Sequence, residues 1–317
     1  VDPCAGATPT ATEAQCALTG VKPGQYGNIS ANPANQYSAL FGGNPNLLPE
    51  KADTWTLGAI LQPRFVPGLA LTVDYFNIKV KNVIGGPAFL DVINDCIAGD
   101  ASSCALIHRN TATGSLWQGS DLATAGYIIL LNRNFPGTGL LTKGFDFQGS
   151  YSRRLGGLGT LNASFVGTLL TDEAGAGVGD VGSFAGLQPV PKWRHTMRLG
   201  LTLPNGLGIS TRWRHFSGVD CQPADPAAGI PNTGCGTVAN PIPGNERLSA
   251  ADYFDLAFTA RLAQRLNLRL GANNIFDTDP PLAGGQVVPA GFGNGNTFPQ
   301  VYDSLGRYLF AGFTVDF

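Results

Sequence analysis

Apolar residues recur at every second position in segment after segment of this chain. In the last segment, Leu309, Ala311, Phe313, Val315 and Phe317 are each separated by one residue. Because successive side chains of an extended strand point to opposite faces, this period of two predicts a strand with one apolar face. The pattern predicts nine such strands: 53–61, 69–82, 144–153, 159–170, 193–203, 207–216, 252–262, 266–275 and 305–317.

The connections between these segments alternate in length. Short links lie at 62–68, 155–158, 204–206 and 263–265, and long links fill 83–143, 171–191, 218–251 and 276–304. Tight turns at one end and long loops at the other predict an antiparallel meander, in which each strand pairs with its neighbours in sequence. One further segment, 125–134, is apolar without alternating, so whether it adds a tenth strand stays open.

Two all-β architectures can cover the apolar faces of such strands. In a soluble sandwich the apolar face packs on a second sheet, whereas in a transmembrane barrel it faces lipid and the polar face lines a lumen. Strands of about ten residues suit a tilted membrane crossing and exceed the roughly 5–6 residues usual in globular sheets. Long loops on one side and only 13% charged residues also favour the barrel. The predicted fold class is therefore an all-β, antiparallel up-and-down transmembrane β-barrel.

Composition and motifs argue against several classes of function. The net charge is -2 and the basic residues are scattered, which argues against a nucleic-acid partner. No Ser-His-Asp order or metal-ligand cluster stands out, and GVGDVG at 177–182 lacks the strand-then-helix context of a nucleotide loop. The sequence thus predicts a protein that is not an enzyme and holds no cofactor or metal.

Positions 1–10, VDPCAGATPT, lack the features of a signal peptide, and we expect position 1 to lie inside a longer chain.

Five segments resemble a single protein family. GGNPNLLPEKADTWTLG at 42–58 resembles the Asn-Pro-x-Leu-x-Pro-Glu motif near the middle of the barrel of TonB-dependent outer-membrane receptors. LALTVDYFNIKVKNVI at 69–84 is similar to the family's next strand. TKGFDFQGSY at 142–151 and GANNIFDTDPP at 271–281 are similar to later parts of these barrels, and the terminal strand with Phe317 resembles the family's end. The matches follow the family's order over 42–317.

The resemblance implies a barrel of about 22 strands around a plug domain. Residues 1–317 would be the C-terminal part of that one barrel domain, about nine or ten strands, without the plug and the N-terminal strands. The family imports scarce ligands, such as siderophore-bound iron, cobalamin or oligosaccharides, across the Gram-negative cell outer membrane with energy from TonB. A passive porin-like channel, an outer-membrane barrel enzyme and a secreted β-sandwich adhesin are the alternatives.

The resemblance also implies a set of partners. These are the lipid bilayer, the protein's own plug domain, TonB, a small-molecule ligand and the barrel-assembly machinery. The assembly signal would consist of Phe313, Val315 and Phe317 in the terminal strand.

The 6 cysteines fall into local pairs, each inside one predicted extracellular loop. Close pairs in loops that face an oxidising compartment are typical of disulfides, and the spacings do not resemble those of a zinc site. We therefore predict disulfides, with free thiols or a metal site as the weaker alternatives. The predicted pairs are Cys4–Cys16, Cys96–Cys104 and Cys221–Cys235.

Candidate site residues follow from the phase of the strands and from the loops. Arginines in the polar phase are predicted to line the lumen, where they guide an anionic ligand or pair with carboxylates of the plug: Arg194, Arg198, Arg212, Arg214 and Arg269. Polar or aromatic loop residues are candidates for ligand contact: His108, Arg109, Trp117 and Asp220. His195 and His215, next to Trp193 and Trp213, are interpreted as parts of an aromatic belt at the membrane interface.

Overall fold

A computed structural model of the chain describes residues 1–33, 36–135, 139–175, 181–184, 188–223, 235–237, 239–263, 266–284 and 295–315. The chain divides into two compact units. Unit 1 consists of Val1–Lys51 and Lys81–Thr138, and unit 2 consists of Ala52–Val80 and Gly139–Phe317.

The secondary structure is mostly strand. The helices are α1 (Glu13–Leu18), α2 (Phe89–Ile97) and α3 (Ala101–Cys104), with a 3₁₀ turn at Gly156–Leu158. The strands, in chain order, are β1 (Ala39–Gly42), β2 (Lys51–Leu61), β3 (Leu69–Lys81), β4 (Val83–Gly85), β5 (Ile107–His108), β6 (Tyr127–Leu131), β7 (Arg133–Phe135), β8 (Leu140–Arg154), β9 (Thr160–Ala174), β10 (Ser183–Phe184), β11 (Trp193–Thr202), β12 (Leu207–Phe216), β13 (Val219–Cys221), β14 (Arg247–Leu248), β15 (Ala251–Ala263), β16 (Leu266–Asn273) and β17 (Tyr308–Val315). No helix in the described part of the chain has both the length and the apolarity needed to cross a membrane.

Nine strands form one antiparallel sheet. Its spatial order is β2-β3-β8-β9-β11-β12-β15-β16-β17, which is also their order along the chain. Every register that the structure defines between neighbours in this sheet is antiparallel. The predicted strands are confirmed, and their short and long connections alternate as predicted; the link at 264–265 lies outside the described residues.

One face of the large sheet is apolar because the register places apolar residues directly opposite one another. Ile209 lies opposite Leu201 on one side and Phe258 on the other, and Phe258 lies opposite Leu270. Phe258 is 49% exposed and Leu270 is 43% exposed, so no second layer of described residues covers this face. A sandwich sheet would bury these side chains, whereas a membrane barrel presents them to lipid.

The opposite face is polar along the same strands. One row across the sheet consists of Ser150, Ser164, Arg198, Arg212 and Asp255, each directly opposite the next. The period of two along each strand and the in-register pairing between strands together separate the polar side chains from the apolar ones.

Unit 1 is a small folded body with its own apolar clusters. Ile93 of α2 and Ile128 of β6 are fully buried in the first cluster. The second cluster surrounds the Cys4–Cys16 disulfide and Ile29. The α1 helix beside this disulfide begins at a capping box, in which the Thr12 side chain and the helix exchange hydrogen bonds.

The segment 125–134 belongs to unit 1 and lies outside the nine-stranded sheet. It forms β6, which pairs with β1 and β5, and β7, which pairs with β4. No residue of β6 is classed as exposed, and Ile128 is fully buried. A strand covered on both faces has no reason to alternate, which explains why the sequence left its assignment open.

Described residues from the long loops of unit 2 pack together at one end of the polar face. Tyr253 of β15 is fully buried there, in one cluster with the loop residues Phe184, Val219 and Phe298. The rings of Phe184 and Phe298 meet edge to face, with centroids 6.0 Å apart. This end of the sheet, called the loop end below, is therefore held by a core of its own.

Candidate functional site

The polar face of the large sheet contains a recess of ≈ 330 Å³. It extends across β11, β12, β15, β16 and β17, and three arginines contribute to its wall. The polar side chains that line it are Arg198, Ser210, Arg212, Asp255, Arg269 and Asn273, with Tyr308 and Phe310 adding two aromatic rings. We call this feature the arginine recess.

Asp255 is the one carboxylate among the described residues that line the recess, and both of its oxygens have partners. Its side chain is 8% exposed and forms an ion pair with Arg212 Nε. Its other oxygen accepts hydrogen bonds from Arg214 Nη2 at 3.2 Å and from the backbone N–H of Asn274 at 2.8 Å. Arg214 also pairs with Asp303 at 2.8 Å. Asp255 therefore offers no free charge to balance the remaining arginines.

The Asn-Ile-Phe-Asp motif at 274–277 directly follows β16, and the backbone N–H of its Asn274 helps to position the Asp255 carboxylate. Asn274 has a φ of +47°, and its side-chain amide bonds both the N–H and the C=O of Thr278. Asp277, at φ +58°, accepts a hydrogen bond from the backbone N–H of Arg307 at 2.7 Å. Asn and Asp tolerate these left-handed conformations better than most residues. The motif thus fixes both ends of the 274–307 loop, a structural role.

Two guanidinium groups of the recess lack an anionic partner within the described part of the chain. Arg198 lies directly opposite Arg212, whose charge is taken by Asp255. Arg269 lies over the Phe310 ring at 5.0 Å and forms no ion pair with a described residue. Unpaired guanidinium groups beside hydroxyl and amide donors favour an anion such as a carboxylate, a phosphate or a phenolate.

The five arginines predicted for the lumen all lie on the polar face. Arg198, Arg212 and Arg269 all line the recess. Arg214 lies two positions after Arg212 along β12 and forms ion pairs with Asp255 and Asp303. Arg194 instead lines a second cavity nearer the loop end. That this face lines a lumen stays a prediction. Ser210, Asp255, Asn273 and the two aromatic residues of the recess were not among the predicted site residues, although the polar phase of Asp255 is visible in its strand.

The four loop residues predicted for ligand contact do not share one unit. His108, Arg109 and Trp117 lie in unit 1, and Asp220 lies in unit 2. Arg109 is buried, and its guanidinium donates hydrogen bonds to Asp2, Thr19 and the carbonyl of Gly114. This geometry favours a structural role, and ligand contact at Arg109 stays a prediction.

The other candidates differ in accessibility. His108 is exposed and stacks on Tyr127 at 4.6 Å. Trp117 is half-buried and donates its indole N–H to the Ser30 carbonyl at 3.2 Å. Asp220 pairs with Arg247 at 2.7 Å, and both side chains are exposed. Ligand contact at these three residues stays a prediction.

All three predicted disulfides are confirmed. Cys4–Cys16 and Cys96–Cys104 lie in unit 1, and Cys221–Cys235 lies in unit 2. Of the residues assigned to the assembly signal, Phe313 and Val315 point to the apolar face of β17 and are 77% and 43% exposed. Phe317 lies outside the described residues.

The two histidines of the apolar face belong to a polar and aromatic cluster. His195 and His215 lie directly opposite each other with ring centroids 5.1 Å apart. His195 Nδ1 accepts a hydrogen bond from the Trp193 indole at 2.9 Å. Asp252 accepts one from the Trp213 indole at 2.6 Å and contacts His215 Nδ1 at 2.8 Å. This is the composition expected of an aromatic belt, in which ring N–H groups keep partners at an interface.

The order of the strands and the polarity of their two faces define a class of protein. A long antiparallel meander with an exposed apolar face, a polar face and long loops at one end is part of a membrane β-barrel. The family model described as TonB dependent receptor-like, β-barrel, matches residues 19–275, and the chain belongs to that family.

Solved structures share the fold at low sequence identity. The siderophore receptor PirA from Acinetobacter baumannii is 17% identical with a TM-score of 0.55, covering 92% of this chain and 35% of its own. A mutant of the ferric enterobactin receptor PfeA from Pseudomonas aeruginosa, in complex with enterobactin, is 18% identical with a TM-score of 0.52, covering 88% and 33%. The FrpB iron transporter from Neisseria meningitidis is 14% identical with a TM-score of 0.50, covering 88% and 33%. The chain spans about a third of the length of these structures, and no curated protein matches its sequence.

Proposed function

We propose that this chain is the C-terminal part of the barrel of a Gram-negative outer-membrane receptor that imports an anionic ligand with energy from TonB. The family membership supports the receptor class. The negative charge of the ligand is inferred from Arg198 and Arg269. These two arginines have no anionic partner among the described residues of the recess. A ferric siderophore with acidic oxygens fits this recess better than a neutral oligosaccharide.

In the proposed mechanism the long loops capture the ligand and the polar face guides it. TonB acts on a plug domain that belongs to the complete protein, and movement of the plug opens a path past the arginine recess. The guanidinium groups of Arg198 and Arg269 then bind the anion weakly. Weak binding at several successive sites allows a ligand to leave each site and pass through the barrel. The apolar face contacts the bilayer, and the barrel-assembly machinery recognises the terminal strand. The chain's role is transport and not catalysis.

The proposal is tested by measuring siderophore uptake in a host strain from which the gene for this receptor has been deleted. The complete receptor carrying Arg198→Gln with Arg269→Gln is compared with the unchanged receptor, using a set of labelled ferric siderophores under iron limitation. A charged hydrogen bond contributes about 1.5–3 kcal/mol, so we expect uptake at limiting ligand to fall at least about tenfold.

The matched control removes the same charge elsewhere. Arg153→Gln with Arg154→Gln changes two exposed arginines at the turn end of β8, outside the recess, and should leave uptake unchanged. Equal losses in both pairs of variants would contradict a role of the recess. Uptake that persists in a strain without TonB would instead favour the passive porin-like channel.

A further inference from the structure

A second cavity, of ≈ 470 Å³, lies at the loop end of unit 2. It is bounded by the ends of β8 and β9, by residues 188–191 and by residues 300–301. None of its lining residues belongs to the arginine recess. We call it the loop-end cavity.

One part of the wall of the loop-end cavity is apolar and fixed in place. Pro189, Val190 and Pro191 are buried, and Phe216 of β12 is half-buried. The backbone of Val190 is held by hydrogen bonds with Gly182 at 2.8 Å and with Ser183 at 3.0 Å. Because proline carries no N–H, this wall offers few donors, and polar recognition must come from side chains.

Four polar side chains at the cavity are not committed to other described residues. Glu173 of β9 and Arg194 of β11 carry opposite charges, and Gln188 and Gln300 carry exposed amides. Glu173 and Arg194 form no ion pair within the described ranges, although the guanidinium acts electrostatically on the carboxylate. The space between them therefore separates two complementary charges that lack direct contact.

This arrangement has a specific chemical complement. A carboxylate binds an ammonium group, a guanidinium binds a carboxylate, and primary amides bind peptide N–H and C=O groups. A ligand that satisfies all of them carries both charges on a short scaffold, and the apolar wall accepts its side chains. We infer that the loop-end cavity binds a zwitterionic amino acid or short peptide, with its ammonium on Glu173 and its carboxylate on Arg194.

The inference goes beyond the proposed function, because binding at this cavity requires neither TonB nor transport. The experiment is isothermal titration of the complete protein, purified in detergent, with L-alanyl-L-alanine and with its N-acetylated and C-amidated derivatives. Each derivative removes one of the two charges. We expect the zwitterion to bind and each blocked derivative to bind about tenfold more weakly.

Two variants assign each charge to its partner. Glu173→Gln should bind L-alanyl-L-alanine and its N-acetylated derivative equally, and Arg194→Gln should do the same for the C-amidated derivative. Arg198→Gln, in the arginine recess, is the matched control and should keep both preferences. The series on the unchanged protein stands even when a variant does not fold. Absence of zwitterion binding, or preferences that persist in both variants, overturns the inference, whatever the outcome of the uptake experiment.

Discussion

Asp2 and Arg109 lie 107 positions apart in the sequence and form a buried ion pair inside unit 1. Arg109 Nη1 is 2.8 Å from one carboxylate oxygen and Nη2 is 3.0 Å from the other, and both side chains are 2% exposed. The guanidinium also donates to Thr19 and to the carbonyl of Gly114. The pair thus ties the first residues of unit 1 to the segment that follows β5.

Removing the cation of this pair should destabilise unit 1 strongly. Arg109→Met leaves Asp2 as an uncompensated buried charge, and the free energy of unfolding should fall by about 3–5 kcal/mol. Hydrogen exchange of the complete protein, read at the Asn110 and Gly114 amides that bond within this segment, measures the change. Asp95→Asn breaks the Arg133–Asp95 pair, whose side chains are 41% and 43% exposed, and should cost about 0–1 kcal/mol. Similar losses of stability in both variants would contradict a stabilising role of the buried Asp2–Arg109 pair.

The disulfides of unit 1 should stabilise it independently of unit 2. Replacing Cys96 and Cys104 by serine opens a loop with a sequence separation of 8. On the chain-entropy scale this lowers the stability of unit 1 by about 2–3 kcal/mol. The control is the corresponding double replacement of Cys221 and Cys235 in unit 2. It should leave exchange rates in unit 1 unchanged, and faster exchange there would show that the disulfides do not act locally.

Asp100, the N-cap of α3, should titrate at unusually low pH. Hydrogen bonds from the Ser103 hydroxyl and then from Ser102 lower its pKa to about 2, from an ordinary value of 3.8. Because the folded pKa lies below the unfolded one, the cap stabilises α3 fully above about pH 4 and is lost as pH falls through about 2. The carboxyl carbon shift of Asp100, followed by NMR in the labelled protein, measures this. A titration midpoint of Asp100 near 3.8 would contradict its role as the cap. Asp100→Asn should remove the pH dependence of α3 stability that the cap causes.

A new charge should destabilise the barrel much more on the apolar face of the large sheet than on its polar face. Leu199→Lys places an ammonium on the apolar face, and the barrel should lose about 2–4 kcal/mol if that residue lies near the bilayer midplane. Val166→Lys, on the polar face of the adjacent strand, is the matched control and should cost little. Denaturant unfolding in lipid vesicles compares the two. Equal tolerance of both charges would show that the apolar face does not contact lipid.

The sequence predicts the strands well because one physical rule governs them. β12 occupies Leu207–Phe216, as the period of two predicts, and most other strands differ only at their ends. β17 begins at Tyr308 and not at 305 because side chains hold the residues before it. Arg307 donates its N–H to Asp277, and Asp303 pairs with Arg214. Contacts of this kind join distant parts of the chain and leave no periodic signal.

The candidate site was predicted in part for the same reason. Strand phase assigns Arg198 and Arg269 to the polar face, but it does not say which arginines are neutralised. That depends on the register, which places Asp255 opposite Arg212, and on a loop residue, Asp303, beside Arg214. The sequence therefore identifies the charges of the recess. Only pairing in space identifies the arginines that have no anionic partner among the described residues.

The sequential order of the large sheet has a consequence for how it is built. Within the described residues, tight links close the hairpins β2–β3, β8–β9 and β11–β12, and only two positions of sequence separate β15 from β16. A long stretch of sequence, 274–307, separates β16 from β17. Because the entropy cost of closing a loop grows with its length, we expect these hairpins to form early and docking between them to follow. The sheet is thus a row of self-contained modules, and a longer loop at its loop end slows docking between modules without unravelling any one of them.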